Sequence, residues 1–125
     1  MLPAMFLATA NKARQLLCVS YIDHVEPAEL VRGREDVRAL LAELTPGYRL
    51  LVNLSQLKSM SVECHTEIGA MMEQFDRKGV GLVVRVIPDE TKDIGLNILT
   101  VFHYAHHPHV VTCQSMTAAA QALGL

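Results

Sequence analysis

YRLLVNLSQLKSMSVECHTEIGAMMEQFDRKG, running from Tyr48 to Gly79, is the stretch whose reading decides the fold. Arg49–Leu54 is an almost unbroken apolar run, the pattern of a strand covered on both faces. Ser55–Ser61 (SQLKSMS) is polar and hydroxyl-rich, and reads as a turn. From about Val62 to Lys78 the apolar residues Ile68, Met71, Met72 and Phe75 recur at helical spacing, and Gly79 is placed to close the helix. In an open α/β sheet, function collects where strands end and helices begin. The junction Asn53 to His65 is therefore the place to look, and it carries no complete catalytic motif.

Upstream, Met5–Thr9 reads as a short edge strand and Ala10–Ala13 as a hairpin turn. Gln15–Ile22 is a second strand, with Leu17, Val19 and Tyr21 on one face and Leu16, Cys18, Ser20 and Ile22 on the other. Asp23–Glu26 reads as a loop. Pro27 suits the first turn of a helix, and Glu26 and Glu29 favour the same end electrostatically. Leu30, Val37, Leu41 and Leu44 form the apolar stripe, and Arg32, Arg34, Glu35 and Arg38 a solvated face of mixed sign. Thr45-Pro46-Gly47 stops the helix.

Downstream, Val80–Ile87 is the most β-branched run, and Pro88–Asp93 a loop. A helix is expected over Ile94–Ala105, capped by Asp93 or Thr91 and broken by His106–His109. Val110–Cys113 is the last strand, and Ser115 caps a closing helix, Met116–Leu123. The order ββαβαβαβα requires right-handed crossovers and a mixed, mainly parallel α/β sheet with an antiparallel N-terminal hairpin.

At 125 residues the chain is read as one domain, 1–125. Half of it is apolar and its formal charge is −2, which offers no basic face for nucleic acid. It has few aromatic residues and no Trp for stacking bases. Cys18, Cys64 and Cys113 are widely spaced and form no CxxC pair. They read as reduced, buried thiols in a cytoplasmic protein. Met1–Ala10 lacks the basic start of a signal peptide, and no apolar run is as long as a membrane helix needs.

The element order, together with Leu51–Gly79, the following GVGLVVRVIPDE and the closing SMTAAAQAL, resembles the STAS domain. That fold belongs to anti-sigma factor antagonists and to the cytoplasmic tails of sulfate transporters. More narrowly, the chain resembles an uncharacterised bacterial branch of SpoIIAA-like proteins. The family's strand ends in an Asp-Leu-Ser type turn and leads to an Asp-Ser-Ser-Gly or Asp-Ser-Thr-Gly motif. Counted from Ser55, the motif's Asp falls on Ser61, its phosphorylatable hydroxyls on Val62 and Glu63, and its Gly on Cys64. Asn53 stands where an Asp is common. Valine cannot accept a phosphoryl group, so the resemblance implies a regulatory or interaction module without the usual phosphorylation switch.

Around the junction, Ser61 is placed to cap the second helix, and Glu63 to complement its dipole. A phosphate on Ser61 would also meet the positive helix end favourably. Cys64 should pack inward and His65 face solvent; one residue apart on a helix, they cannot act as nucleophile and base. His103, His106, His107 and His109 form a cluster in which His103 and His107 have the spacing for a shared metal. There is no phosphate loop and no nucleophile elbow, so no cofactor is expected.

These observations favour a non-enzymatic module that presents Asn53, Lys58, Ser61, Glu63 and His65 to a protein partner. One alternative is a small apolar or lipid ligand held by the Met- and Leu-rich second and third helices. Another is metal binding through the His103–His109 cluster. Edge strands and half-exposed apolar helices also allow a homodimer.

Overall fold

The middle of the sheet is set by three apolar runs lying side by side. In the computed structural model, which describes residues 6–87 and 108–125, β1 (Phe6–Asn11), β2 (Leu16–Val25), β3 (Arg49–Met60), β4 (Leu82–Val86) and β5 (His109–Cys113) form one sheet. They lie in chain order, β1-β2-β3-β4-β5. β1 pairs antiparallel with β2, and the remaining pairs are parallel. This is the mixed, mainly parallel α/β sheet with an N-terminal hairpin that the periodicity implies. The expected helix over residues 94–105 lies outside the described residues.

Strands laid down in sequence and joined by right-handed crossovers put their connecting helices on one face. α1 (Pro27–Leu41) and α2 (Cys64–Lys78) accordingly share a core with the inward row of the sheet. Leu17, Leu50 and Val83 are in register across β2, β3 and β4, and all three are fully buried. Each such side chain contributes about 1.5–3 kcal/mol relative to exposure. The opposite face carries Leu16, Leu51, Val84, Val86 and Cys113, covered by α3 (Met116–Leu123) through Ala119 and Leu123. Ser115 caps α3 as expected, its hydroxyl accepting from the Ala118 N–H at 3.1 Å. Arg49 donates to the Leu123 carbonyl, which fastens the other end of α3 to the start of β3.

Two glycines answer specific demands. A Cβ on Gly33 would lie 2.4 Å from the Phe6 ring, so only hydrogen lets α1 approach β1 this closely. Gly79 has φ +92°, the left-handed conformation that ends α2, and its N–H reaches the Asp76 carbonyl at 2.9 Å.

The structure corrects the reading of residues 55–61 as a turn. β3 continues through them to Met60, beside a β2 that itself runs on to Val25. The register Ser20↔Asn53, Ile22↔Gln56, Asp23↔Leu57, His24↔Ser59, Val25↔Met60 shifts twice, so β3 uses two more residues than β2 over the same span. The shifts place Leu54 and Leu57 both inward, at a separation of three that strict strand alternation cannot accommodate. Asp23–Glu26, read as a loop, is strand as far as Val25.

Candidate functional site

Beyond Asn53, β3 has left β4 behind: the β3–β4 ladder ends at Asn53↔Val86. Among the described residues, the ends of β2 and β3 continue as a two-stranded parallel arm that feeds α1 and α2. Val25, Leu57 and Cys64 secure its inner side in the core. Its outer side is polar, carrying Asp23, His24, Lys58 and Ser59.

At the tip, four side chains form a continuous hydrogen-bonded chain. His24 Nδ1 lies 2.5 Å from Ser59 Oγ, His24 Nε2 lies 2.5 Å from Glu26 Oε1, and the Ser61 hydroxyl donates to Glu26 Oε2 at 2.8 Å. One tautomer of neutral histidine satisfies every member: Ser59 donates to Nδ1 and Nε2–H donates to Glu26. The bonds from Ser61 and His24 hold the Glu26 carboxyl below its ordinary value. His24 and Glu26 are about half exposed, at 50% and 51%, so the chain is open to solvent. Asp23 and Lys58 pair alongside at 3.7 Å.

Cys64 sits beneath this chain, fully buried, with its thiol 3.4 Å from the Val25 carbonyl. Burial, followed by the negative charge of Glu26 with Glu63 and Glu29 behind it, pushes this thiol up to about 11. A thiol so placed is protonated and unreactive at neutral pH. Burial also raises the Cys18 thiol.

The five residues expected to form a surface divide into groups. Ser61 and Glu63 occupy the short turn into α2, His65 lies in the first turn of α2 itself, and Lys58 lies on the arm just before them in sequence. Glu63, His65 and Lys58 are exposed. Asn53 stands apart at the base of the arm, about 16 Å from Lys58 at strand spacing. Its Oδ1 accepts from both the N–H (3.0 Å) and the hydroxyl (2.6 Å) of Ser55.

Ser61 does not cap α2 with its side chain, as the sequence suggests. Its hydroxyl is turned to Glu26, its carbonyl accepts from the Cys64 N–H at 3.0 Å, and Glu63 at the N-cap makes no side-chain capping bond. The charge-assisted bond from the hydroxyl hydrogen to Glu26 orients this side chain towards α1 rather than over the free N–H groups of α2.

Val62, on the position of the family's phosphorylatable hydroxyl, is 74% exposed at the apex of the turn. Met71 and Met72, considered as pocket-lining residues, are core side chains against the sheet. An open groove of about 380 Å³ lies between the last turns of α1 and α2, lined by Arg38, Leu41, Ala42, Gln74, Arg77 and Lys78. Of the histidine cluster, His109 begins β5 and is exposed. His103, His106 and His107 lie outside the described residues.

Sequence reasoning missed His24, Glu26 and Ser59. The available signal was the even spacing of the buried Leu17, Val19, Tyr21 and Val25, which carries β2's inward row past Asp23 and would bring His24 to the outer side. Ser59 had no comparable signal, because two register shifts stand between it and the regular part of β3.

No family model matches the chain, and no curated protein matches its sequence. Solved structures do match. The anti-sigma factor antagonist SpoIIAA in its unphosphorylated form superposes with a TM-score of 0.64 at 11% identity, over 96% of this chain and 99% of that one. A DUF3478-family protein with a SpoIIAA-like fold from Shewanella loihica PV-4 gives 0.69 at 12% identity, over 94% and 91%. An anti-sigma factor antagonist from Mycobacterium paratuberculosis gives 0.56 at 16% identity, over 96% and 93%. With a hairpin feeding a parallel sheet, helices on both faces, and agreement over nearly the full length of all three, this chain has the SpoIIAA-like fold, the STAS architecture.

Proposed function

We propose that the protein is a non-enzymatic regulatory module that binds a protein partner through the arm and the turn into α2. The likeness of the whole fold to two anti-sigma factor antagonists carries this reading. The local surface supports it: Lys58, Glu63 and His65 are exposed charged or polar groups, and Val62, next to Glu63 in sequence, adds an exposed apolar side chain. Valine in place of a phosphorylatable hydroxyl leaves Ser61 and Ser59 as the hydroxyls of the tip, both engaged in the His24–Glu26 chain.

Quantitative pull-down from a lysate of the source cells, comparing the wild-type protein with a chain carrying alanine at Lys58, Ser61, Glu63 and His65, tests the surface. Circular dichroism should show both folded. Loss of the captured partner from the variant is expected; a partner retained at full strength would move the interaction elsewhere.

A further inference from the structure

The chain Ser59–His24–Glu26–Ser61 holds more order than a solvated turn requires. A hydroxyl, an imidazole and a carboxylate in sequence, each within hydrogen-bond reach of the next, is the geometry that activates a serine for nucleophilic attack. Three different segments build it. Ser59 arrives on β3, His24 on β2, and Glu26 on the link to α1; the second register shift sets Ser59 opposite His24. Ser61 holds the far carboxylate oxygen, so Glu26 is fixed at both oxygens.

We propose that Ser59 is an acyl-accepting nucleophile, with His24 as its base, and that the acyl donor is an uncharged carboxylic ester. Ser59 Oγ attacks the ester carbonyl carbon while its proton passes to His24 Nδ1. The tetrahedral adduct collapses, the C–O bond to the alcohol breaks, and the leaving oxygen takes the proton back from His24. The products are acyl-Ser59 and the free alcohol, with no oxidant, reductant or metal required. Glu26 is a positioning residue: it fixes the tautomer that leaves Nδ1 free to accept, and offsets the charge of the imidazolium as it forms.

The surroundings select the donor class. Asp23, Glu26, Glu29 and Glu63 outnumber Lys58 around the tip, and an anionic donor such as a nucleotide would be repelled. Val62, one residue beyond Ser61 and largely exposed, offers an apolar rest for an acyl chain. This inference goes beyond the interaction reading and can fail separately from it.

p-Nitrophenyl butyrate is the probe. Wild-type protein should release about one equivalent of nitrophenolate per chain and gain one butyryl group, which peptide mass spectrometry places on Ser59. Ser59→Ala should lower release to the buffer rate. His24→Ala should slow it about 100-fold, with recovery on adding imidazole, which a merely structural histidine would not show. Glu26→Gln, whose amide can donate to Nε2 and turn the ring proton to Nδ1, should slow it about tenfold or more and shift the His24 ring signals in ¹⁵N NMR.

An adduct on another residue, or full release from folded Ser59→Ala, overturns the proposal. So does wild-type release no faster than buffer, whether or not the variants fold. Continued turnover that depends on Ser59 would uphold the nucleophile and overturn the non-enzymatic reading above; loss of the partner with no acylation would do the reverse.

Discussion

The lower and upper halves of the β2–β3 pair are built from the same two strands by different forces. At the base, Leu16–Ser20 runs beside Arg49–Asn53 with β1 and β4 as outer neighbours and helices on both faces. There Leu16, Leu17, Val19, Leu50, Leu51 and Val52 are buried and the register is regular, so apolar burial determines the structure. The arm, where Ile22–Val25 runs beside Gln56–Met60, is entered through one register shift, between Ser20 and Ile22, and contains a second, between Asp23 and His24. One side is held by Leu57, Val25 and Cys64, and the other by hydrogen bonds and an ion pair. The base is held by close packing, whereas the polar groups of the arm lie on its solvent side, outside the core.

The sharpest way to break this contrast is to cut one side chain from the base. Leu50 is fully buried between Leu17 and Val83, and Leu50→Ala should lower the unfolding free energy by about 2–5 kcal/mol. Urea denaturation followed by circular dichroism measures it. A loss below about 1 kcal/mol would mean the site collapses around the gap, and the base would then be no more demanding than the arm.

A smaller effect is expected where the hairpin meets α1. The added methyl of Gly33→Ala would fall on the Phe6 ring, which itself packs edge-on to Tyr21 with centroids 5.1 Å apart. Overpacking of this kind costs about 1–3 kcal/mol. Alanine's better helix propensity returns about 1 kcal/mol at most. A net loss in the same denaturation assay is the expected outcome, and stabilisation would show that the ring moves freely at this edge of the sheet.

The difference between base and arm also accounts for what could be read from the amino acids. Gln15–Ile22, Arg49–Leu54 and Val80–Ile87 announce strands because their apolar period agrees with burial on both faces, and Gly79 announces the end of α2 because a left-handed residue is needed there. The continuation of β3 was illegible. Leu54, Leu57 and Met60 are spaced by three, and register shifts that reconcile such spacing with a strand leave no local signature. Ser61 follows the same logic: its type and place fit a helix cap, but Glu26, thirty-five residues earlier in the chain, takes its hydroxyl instead. A tertiary partner overrode a local preference. The sequence directed attention to this junction, while the hydrogen-bonded chain found there depends on contacts between residues distant in the sequence.

Acid titration separates the two regions without altering packing. Glu26 has a carboxyl held below its ordinary value by bonds from Ser61 and His24. The folded state therefore binds its proton less readily than the unfolded chain does. The stability this contributes is present in full above the ordinary glutamate range and is lost as pH falls through the lowered folded value. Wild type should exceed Glu26→Gln in thermal midpoint at pH 7, and the two should converge at strongly acidic pH. Leu50→Ala should keep its deficit throughout. A gap between wild type and Glu26→Gln that does not change with pH would mean the carboxylate is not what holds the tip together.

The smallest effect belongs to Lys58, and it sharpens the comparison most directly. Its ammonium is 3.7 Å from Asp23, and the side chain is 79% exposed. A pair so open gains little Coulomb energy in water and must immobilise a long side chain to form, so Lys58→Ala should change stability by no more than about 0.5 kcal/mol. Partner capture, if the arm is the contact surface, should nonetheless fall. Exposed charges at a contact act on association more than on folding, and the loss should be greatest at low salt, where they are least screened. A stability loss comparable to that of Gly33→Ala would instead make Lys58 a structural member of the arm, and the division between a base that folds and the proposed contact surface would have to be drawn further out, at Ser61.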